Sequence, residues 1–204
     1  MTRTENGSVP VITISREYGA GGRTLAKALS RKLDIPWYDK DFVKITAQKS
    51  GYSENEINEE GEEISAISRT LNSILNSAAP YTSSHDAIFE AQKKAMLDLA
   101  QKPCILVGRC GNVILREAKV DSFDIFLYAS PEIRAERALK IDPGLREDPR
   151  KYVEKRDAYR RNYYKAYAKS QMGQAQNYNI CVDTGRIDCE ILSDYLADFL
   201  LNRQ

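Results

Sequence analysis

The sequence predicts an α/β fold in which a five-stranded parallel sheet is covered by helices on both faces. Five short apolar runs, each about the length of a buried strand, alternate with segments of helical periodicity. A glycine-rich turn follows the first run directly. Strands that alternate with helices are typical of parallel sheets in a three-layer arrangement. With 204 residues, the chain is long enough to bury one core.

The predicted strands are rich in β-branched and other apolar residues. They are Val9–Ser15, Ile35–Tyr38, Pro103–Val107, Phe123–Ala129 and Tyr178–Asp183, of which Ile35–Tyr38 has the weakest pattern.

The predicted helices have apolar stripes and recognisable caps. Leu25, Ala28 and Leu29 recur at helical spacing within Thr24–Leu33. Ser130-Pro131 and Asp148-Pro149 each pair an N-cap residue with proline at the first helical position. Asp188–Leu201 closes the chain as an amphipathic helix.

The interval 39–102, between the second and third predicted strands, is too helical to be a loop. It carries three helical patterns, which begin at Phe42, span Ile64–Leu75 and span Ala87–Leu99. We expect such an insertion to form a substrate wall or an oligomer face. The helical phase of Ile64–Leu75 is compatible with internal packing or with a homodimer.

The charge balance excludes several classes of protein. The chain has 30 Lys and Arg against 29 Asp and Glu, and no apolar run is long enough to span a membrane. We therefore expect a soluble, cytoplasmic protein that binds no membrane and for which nucleic acid is an improbable partner.

The segment 134–169 is basic and is the candidate region for anionic ligands, whereas 52–63 is acidic. The four cysteines lack metal-ligand spacing and suit small apolar packing.

The segment Ser15–Thr24 is the strongest local signal in the chain. It joins the first strand to the first helix through Gly19, Gly21 and Gly22. Glycines let backbone N–H groups approach an oxyanion, and the helix N-terminus favours the negative charge. The alternative is that the glycines only form a tight turn.

The motif G-x-x-x-x-G-K-[ST] is not literally present, and two alignments are possible. Gly22-Arg23-Thr24 can stand for Gly-Lys-Thr, with Arg23 as the cation and Thr24 as the hydroxyl for Mg²⁺. Alternatively, Gly22 takes the lysine position and Arg16 that of the first glycine. In either alignment a guanidinium, from Arg23 or from Arg16, replaces the ammonium group.

Five runs in order carry a family resemblance. They are ITISREYGAGGRTLAKAL, PWYDKDFV, ILVGRCGNVIL, FLYASPEIRAERAL and RDAYRRNYYKAY. With them the chain resembles the cytidylate kinase-like branch of the P-loop nucleoside monophosphate kinases. The resemblance implies a P-loop NTPase three-layer sandwich and phosphoryl transfer from ATP, with Mg²⁺, to a nucleotide such as CMP or dCMP. It implies a single domain over 1–204, with a core of 10–38 and 103–204, a nucleotide-binding insertion of 39–102 and a lid of 142–175.

The resemblance also implies roles for individual residues. The donor phosphates and the metal are assigned to the loop Gly19, Ala20, Gly21, Gly22, Arg23 and Thr24, with Thr24 on Mg²⁺. The acceptor is assigned to Tyr38, Asp39, Asp41, Arg109 and Arg137. Catalysis is assigned to Arg23 and Arg156, and Arg160 is added to them because it lies on the same flank of its helix as Arg156. The sequence departs from the family at Cys110 and Arg160, where aspartates are expected, and at Tyr163, where an arginine is expected.

The helix that starts at Pro149 can be interpreted without the family resemblance. At 100° per residue, Arg156 and Arg160 lie on one flank, beside a stripe of Tyr152, Tyr159, Tyr163 and Tyr167. The arginines suit a lid that closes over a triphosphate, and the alternative is a packing face of tyrosines beside extended arginines.

For the whole chain, the alternatives to a nucleotide kinase are a nucleotide-binding or sensing protein of weakened activity and a kinase for a non-nucleotide acceptor.

Overall fold

The computed structural model describes residues 9–39 and 84–202. The strands are β1 (Val11–Arg16), β2 (Trp37–Tyr38), β3 (Ile105–Val107), β4 (Ser122–Tyr128) and β5 (Ile180–Asp183). The helices are α1 (Gly22–Leu33), α2 (Ser84–Leu99), α3 (Gly111–Glu117), α4 (Pro131–Ile141), α5 (Pro149–Ala168) and α6 (Cys189–Leu201), with a 3₁₀ turn at Ala175–Asn177. The predicted helices at Phe42 and Ile64–Leu75, and the candidate Asp41, lie outside the described residues.

The five strands form one parallel sheet in the order β2-β3-β1-β4-β5. In the register, Ile14 of β1 lies beside Val107 of β3 and Ile125 of β4. Since all strands run the same way, the residues that follow them meet at one edge of the sheet. The predicted five-stranded parallel sheet is confirmed.

Helices cover both faces of the sheet. On one face α1 and α6 pack Leu25, Leu29 and Leu196 against the apolar residues of β1 and β4. On the other face α2 and α3 contribute Met96 and Leu115 to a second buried cluster. These two layers confirm the three-layer α/β sandwich.

N-cap side chains determine where three helices begin, and two of these caps, Ser130 and Asp148, were predicted. The side chains of Ser130, Asp148 and Asp188 each accept a hydrogen bond from a backbone N–H in the first turn of the helix that follows, at 3.4, 2.9 and 2.8 Å. Prolines occupy the first positions of α4 and α5, where the missing N–H costs no helical hydrogen bond. In the described ranges, none of the helices has the length and apolar content that crossing a membrane requires.

Candidate active site

The loop between β1 and α1 depends on glycine at defined positions. Gly19 and Gly21 have left-handed backbones, with φ of 77° and 83°, and Gly21 is the N-cap of α1. A Cβ at Gly19 would lie 2.7 Å from the carbonyl oxygen of Arg134, so both the backbone conformation and the space require glycine there. The loop therefore passes close to α4 and ends at a helix N-terminus, which favours an anion.

Four consecutive carbonyls of the loop are held by side chains from behind. The donors are the guanidiniums of Arg134 and Arg137, the hydroxyl of Thr184 and the thiol of Cys189. They bind the carbonyl oxygens of Tyr18 at 3.3 Å, Gly19 at 3.3 Å, Ala20 at 3.0 Å and Gly21 at 3.7 Å, respectively.

This support determines where the loop amides point. In a trans peptide the N–H of the next residue lies opposite the carbonyl. The N–H groups of Gly19, Gly21 and Gly22 therefore point away from the supporting side chains. The N–H of Ala20 is used within the loop, on the carbonyl of Glu17 at 3.2 Å. The loop thus presents amides on one side and is braced on the other.

A buried ion pair fixes α5 to the loop. The side chains of Arg134 and Asp157 are 6% and 2% exposed and are joined by a hydrogen bond and salt bridge. Asp157 also accepts the N–H of Tyr18 at 2.7 Å, and Arg134 donates to the carbonyl of Ala129 at 2.9 Å. The Glu17 carboxylate lies 3.2 Å from Arg134, so it is held on the same side of the loop as the supporting side chains. Burial raises the pKa of Glu17 and outweighs the lowering effect of the Arg134 guanidinium.

Both arginines offered by the two alignments of the loop bind the same carboxylate. Asp39, which directly follows β2, accepts from Nη2 of Arg16 at 3.3 Å and from Nε of Arg23. The sequence predicted Asp39 and Arg23 as site residues but not their contact. Residues 17–38 separate Arg16 from Asp39 along the chain, and only the order of the strands brings their ends together.

A strained turn places Arg109 at the same edge of the sheet. Gly108, Arg109 and Cys110 have successive positive φ values of 83°, 56° and 57°. Left-handed backbone at two non-glycine residues costs on the order of 1–3 kcal/mol each, and such strain is concentrated at functional sites. The guanidinium of Arg109 lies 5.9 Å from the ring centre of Tyr163.

This turn forms part of a cavity of about 40 Å³ beside the loop. The cavity is lined by three arginines, Arg16, Arg109 and Arg160, together with Ser15, Gly108, Cys110, Tyr163, Tyr164 and Met172. None of these described lining residues is acidic, so the cavity favours an anion. Burial raises the pKa of the Cys110 thiol despite the nearby Arg109, so Cys110 is a neutral packing group.

Helix α5 lies over the loop with both of its predicted catalytic arginines. The guanidinium carbons of Arg160 and Arg156 are 5.2 and 5.8 Å from the ring centre of Tyr18. Burial, together with Tyr152, raises the pKa of Tyr18 to about 12, against the lowering effect of the two guanidiniums. Tyr163 is buried and donates to Gln92 at 2.9 Å, so this member of the tyrosine stripe packs. The movement of a lid stays a prediction.

The structure gives the remaining predicted residues different surroundings. Arg137 donates to Gly19 and to Thr184, at 2.8 Å to the carbonyl of the latter, so these hydrogen bonds support the loop. Tyr38 is the last residue of β2 and is partly buried. The roles of both in binding an acceptor stay predictions.

A preformed magnesium site is not present in the part of the chain that the structure describes. Thr24 lies in the first turn of α1 with an exposed side chain, and no group of three His, Cys, Asp or Glu residues in this part is placed to hold a metal ion. Both oxygens of Asp39 already accept from arginines. These residues do not by themselves fit Mg²⁺, which is usually bound by one or two carboxylates together with substrate phosphates. Thr24 as a metal ligand stays a prediction.

Arg134 is the functional residue that the sequence reasoning missed. It shares one face of α4 with Ala138, four residues further on, and both are buried. Asp157 shares a buried face of α5 with Val153 in the same way. A charged residue in phase with a buried stripe was the available signal, because such a residue is rarely buried without a partner.

The sequence matches one protein family over most of its length. A model of the cytidylate kinase-like family matches residues 11–186. A cytidylate kinase from Methanothrix thermoacetophila is 27% identical over 179 residues, which cover 87% of this chain and 90% of that protein.

Two solved structures show the same fold at low identity. An uncharacterized protein from Eubacterium ventriosum has a TM-score of 0.67 at 20% identity, covering 95% of this chain and 99% of that one. Shikimate kinase from Acinetobacter baumannii, in complex with shikimate, has a TM-score of 0.56 at 16% identity, covering 97% and 96%. Because the family model spans most of the chain and the fold agrees with it, this protein belongs to the cytidylate kinase-like family.

Proposed function

We propose that the protein transfers the γ-phosphoryl group of ATP, supplied with Mg²⁺, to the phosphate of a nucleoside monophosphate, with CMP or dCMP as the acceptor. The family and the fold indicate a kinase of the nucleoside monophosphate and shikimate kinase type. The observation that carries the proposal is the position of the loop directly beside a cavity lined by Arg16, Arg109 and Arg160. Two anionic groups that must react with each other need such adjacent sites.

The proposed reaction needs positioning and positive charge more than it needs a base. An oxygen of the acceptor phosphate forms a bond to the γ-phosphorus while the bond to the β,γ-bridging oxygen breaks. ADP leaves with that oxygen and its electron pair. A phosphate monoester has a second pKa of about 6, so the attacking oxygen is ionised at neutral pH. The barrier is lowered by groups that neutralise the charge on the transferred phosphoryl.

The residues of the site suit these tasks. The amides of Gly19, Gly21 and Gly22 point away from the bracing side chains and suit the donor phosphates. Arg109 and Arg160 line the neighbouring cavity and suit the acceptor phosphate. Helix α5, tied to the loop through Asp157, suits a cover that excludes water.

A second acceptor class is favoured by the residues at the cavity. Cys110 and Tyr163, which stand where the family resemblance leads us to expect an aspartate and an arginine, are both buried and pack together. With Cys110 in place of an aspartate and Tyr163 in place of an arginine, the acceptor side lacks one negative and one positive charge. A small anionic acceptor other than a nucleotide would need fewer polar contacts there, and it is the alternative to CMP.

The test is ADP formation across an acceptor panel. Purified protein is incubated with Mg-ATP and each of CMP, dCMP, UMP, AMP, GMP and a small hydroxy acid. The control is the double variant Arg109→Ala, Arg160→Ala, which removes two of the arginines that line the cavity. The proposal predicts the highest rate with CMP or dCMP, well above the control. ADP formation no higher than in the control with every acceptor rejects the proposal, and ATP binding without turnover then favours a nucleotide-binding protein.

A further inference from the structure

We propose that Arg16, at the end of β1, supplies the positive charge that a lysine supplies in other phosphate-binding loops. The inference rests on the proposed function, since it requires a polyphosphate donor. In G-x-x-x-x-G-K-[ST] the lysine follows the second glycine and reaches the β- and γ-phosphates. When Gly21 is taken as the second glycine, Gly22 occupies the lysine position and Arg23 the hydroxyl position.

The side chain of Arg16 occupies the space that a side chain at position 22 would need. A Cβ at Gly22 would lie 3.0 Å from Cγ and 3.3 Å from Cδ of Arg16. The aliphatic part of Arg16 therefore lies along the start of α1, where a lysine side chain would begin. Glycine at 22 and arginine at 16 thus form a complementary pair, in which the cation comes from the strand instead of the helix.

A second glycine makes room for the guanidinium at the other end of this side chain. Gly108 has a φ of 83°, and a Cβ there would lie 1.8 Å from Nη1 of Arg16. Any other residue at 108 would displace the guanidinium. Gly22 and Gly108 together direct the charged group of Arg16 to the boundary between the loop and the cavity, which Arg16 lines.

Burial distinguishes Arg16 from Arg23, the other candidate cation. The Arg16 side chain is 12% exposed, and that of Arg23 is 51% exposed. A charge shielded from water interacts more strongly with a nearby phosphate than an exposed one does. Asp39, 11% exposed, lies 3.3 Å from Arg16 and holds its guanidinium in place. Arg16 is therefore the preorganised cation of the loop.

This assignment has a consequence for the predicted metal ligand. Thr24 was predicted to bind Mg²⁺ in the alignment that makes Arg23 the lysine equivalent. If Arg16 has that role, the hydroxyl position falls on Arg23, and Thr24 lies one residue beyond it. Evidence against Arg23 as the lysine equivalent is therefore also evidence against Thr24 as the metal ligand.

The test compares three variants in two assays. Arg16→Met keeps the aliphatic contact with Gly22 and removes the charge. The double variant Arg16→Ala, Gly22→Lys moves the charge to the usual lysine position and fills the vacated space. Arg23→Met removes the charge of the other candidate cation. The readouts are the Kd of a non-hydrolysable ATP analogue by calorimetry and the rate of ADP formation, and the ligand-free melting temperature checks the fold of each variant.

We expect Arg16→Met to weaken analogue binding by about 10- to 100-fold, the usual range for losing a charged hydrogen bond. Arg23→Met should change the Kd by less than about threefold, as for an exposed charge. The double variant should bind the analogue at least about tenfold more tightly than Arg16→Met does. Loss of binding in Arg23→Met but not in Arg16→Met would overturn the inference. Failure of the double variant to regain binding while it remains folded would do the same.

The binding assay separates this inference from the proposed function. If the wild-type protein binds the analogue but phosphorylates no acceptor, the proposed kinase activity fails. The comparison of Kd values among the variants still decides whether Arg16 is the cation.

Discussion

Asp157 of α5 accepts a hydrogen bond from the backbone N–H of Tyr18 at 2.7 Å and, on its other oxygen, binds the guanidinium of Arg134. One buried carboxylate thus connects α5, α4 and the glycine-rich loop. An anionic side chain on a backbone amide resembles the interaction that a phosphate makes with the amides at a helix N-terminus. Here it holds the Tyr18 peptide behind the site, so the loop conformation is established before a ligand arrives.

The first prediction concerns this ion pair. Asp157→Asn should destabilise the protein by about 3 kcal/mol, because it removes the fully buried partner of Arg134 and leaves that guanidinium only the less buried Glu17 carboxylate, 3.2 Å away. Urea unfolding measures the change. Glu132→Gln, which removes the partner of Arg150 in an exposed pair at 3.2 Å, is the control and should leave the unfolding midpoint unchanged. Equal stability of the wild type and Asp157→Asn would show that the pair does not hold α5.

The second prediction concerns the backbone of the loop. Gly19→Ala should cost on the order of 1–3 kcal/mol and weaken ATP binding, because a Cβ meets the Arg134 carbonyl and φ is 77°. Gly144→Ala is the control, since the nearest atom to a Cβ there, apart from chain neighbours, is a side-chain oxygen of Asp142 at 3.5 Å. Chemical denaturation and calorimetric ATP titration provide the two readouts. Unchanged ATP affinity in Gly19→Ala would contradict the role assigned to the loop.

Only part of the structure behind these two predictions could be predicted from the sequence. The strand, the glycine turn and the capped helices depend on local patterns, so β1, α1, α4 and α5 could be predicted. The contact between Arg16 and Asp39 depends on the order of strands in the sheet, which local patterns do not specify. The choice between the Arg16 and Arg23 alignments likewise depends on the space beside Gly22, which is determined by how β1 packs against α1.

The third prediction concerns pH and Glu17. Burial raises the pKa of Glu17 above its ordinary value of 4.5, so the folded state binds this proton more tightly than the unfolded chain does. Glu17 therefore contributes most stability below pH 4.5, and this contribution is lost as pH rises through the folded-state pKa. The variant Glu17→Gln cannot titrate there and serves as the reference.

Unfolding free energies of the wild type and Glu17→Gln, measured from pH 4 to pH 7, check this sign. The wild type should lose stability relative to Glu17→Gln as pH rises, while the other carboxylates cancel in the comparison. A relative gain of the wild type with pH would mean that attraction to Arg134 outweighs the cost of burial.

The fourth prediction concerns the acceptor. Arg109→Asn should raise the acceptor KM by about 10- to 100-fold through loss of a charged hydrogen bond, with little change in the Kd of ATP. Asparagine tolerates the left-handed backbone at this position, where φ is 56°. Lys119→Asn, at an exposed residue with φ of 58°, is the control for this backbone effect. An Arg109→Asn variant that loses ATP affinity instead would place Arg109 on the donor side.

In the proposed function, the loop and the arginine-lined cavity bring two phosphates together for transfer. Phosphorus NMR of the protein with Mg-ATP and CMP tests it most directly, because the products carry distinct signals. The proposed function predicts CDP and ADP in equal amounts, at a rate greatly reduced in Arg16→Met. ADP with free phosphate and no CDP, or unchanged ATP and CMP after prolonged incubation, would contradict it.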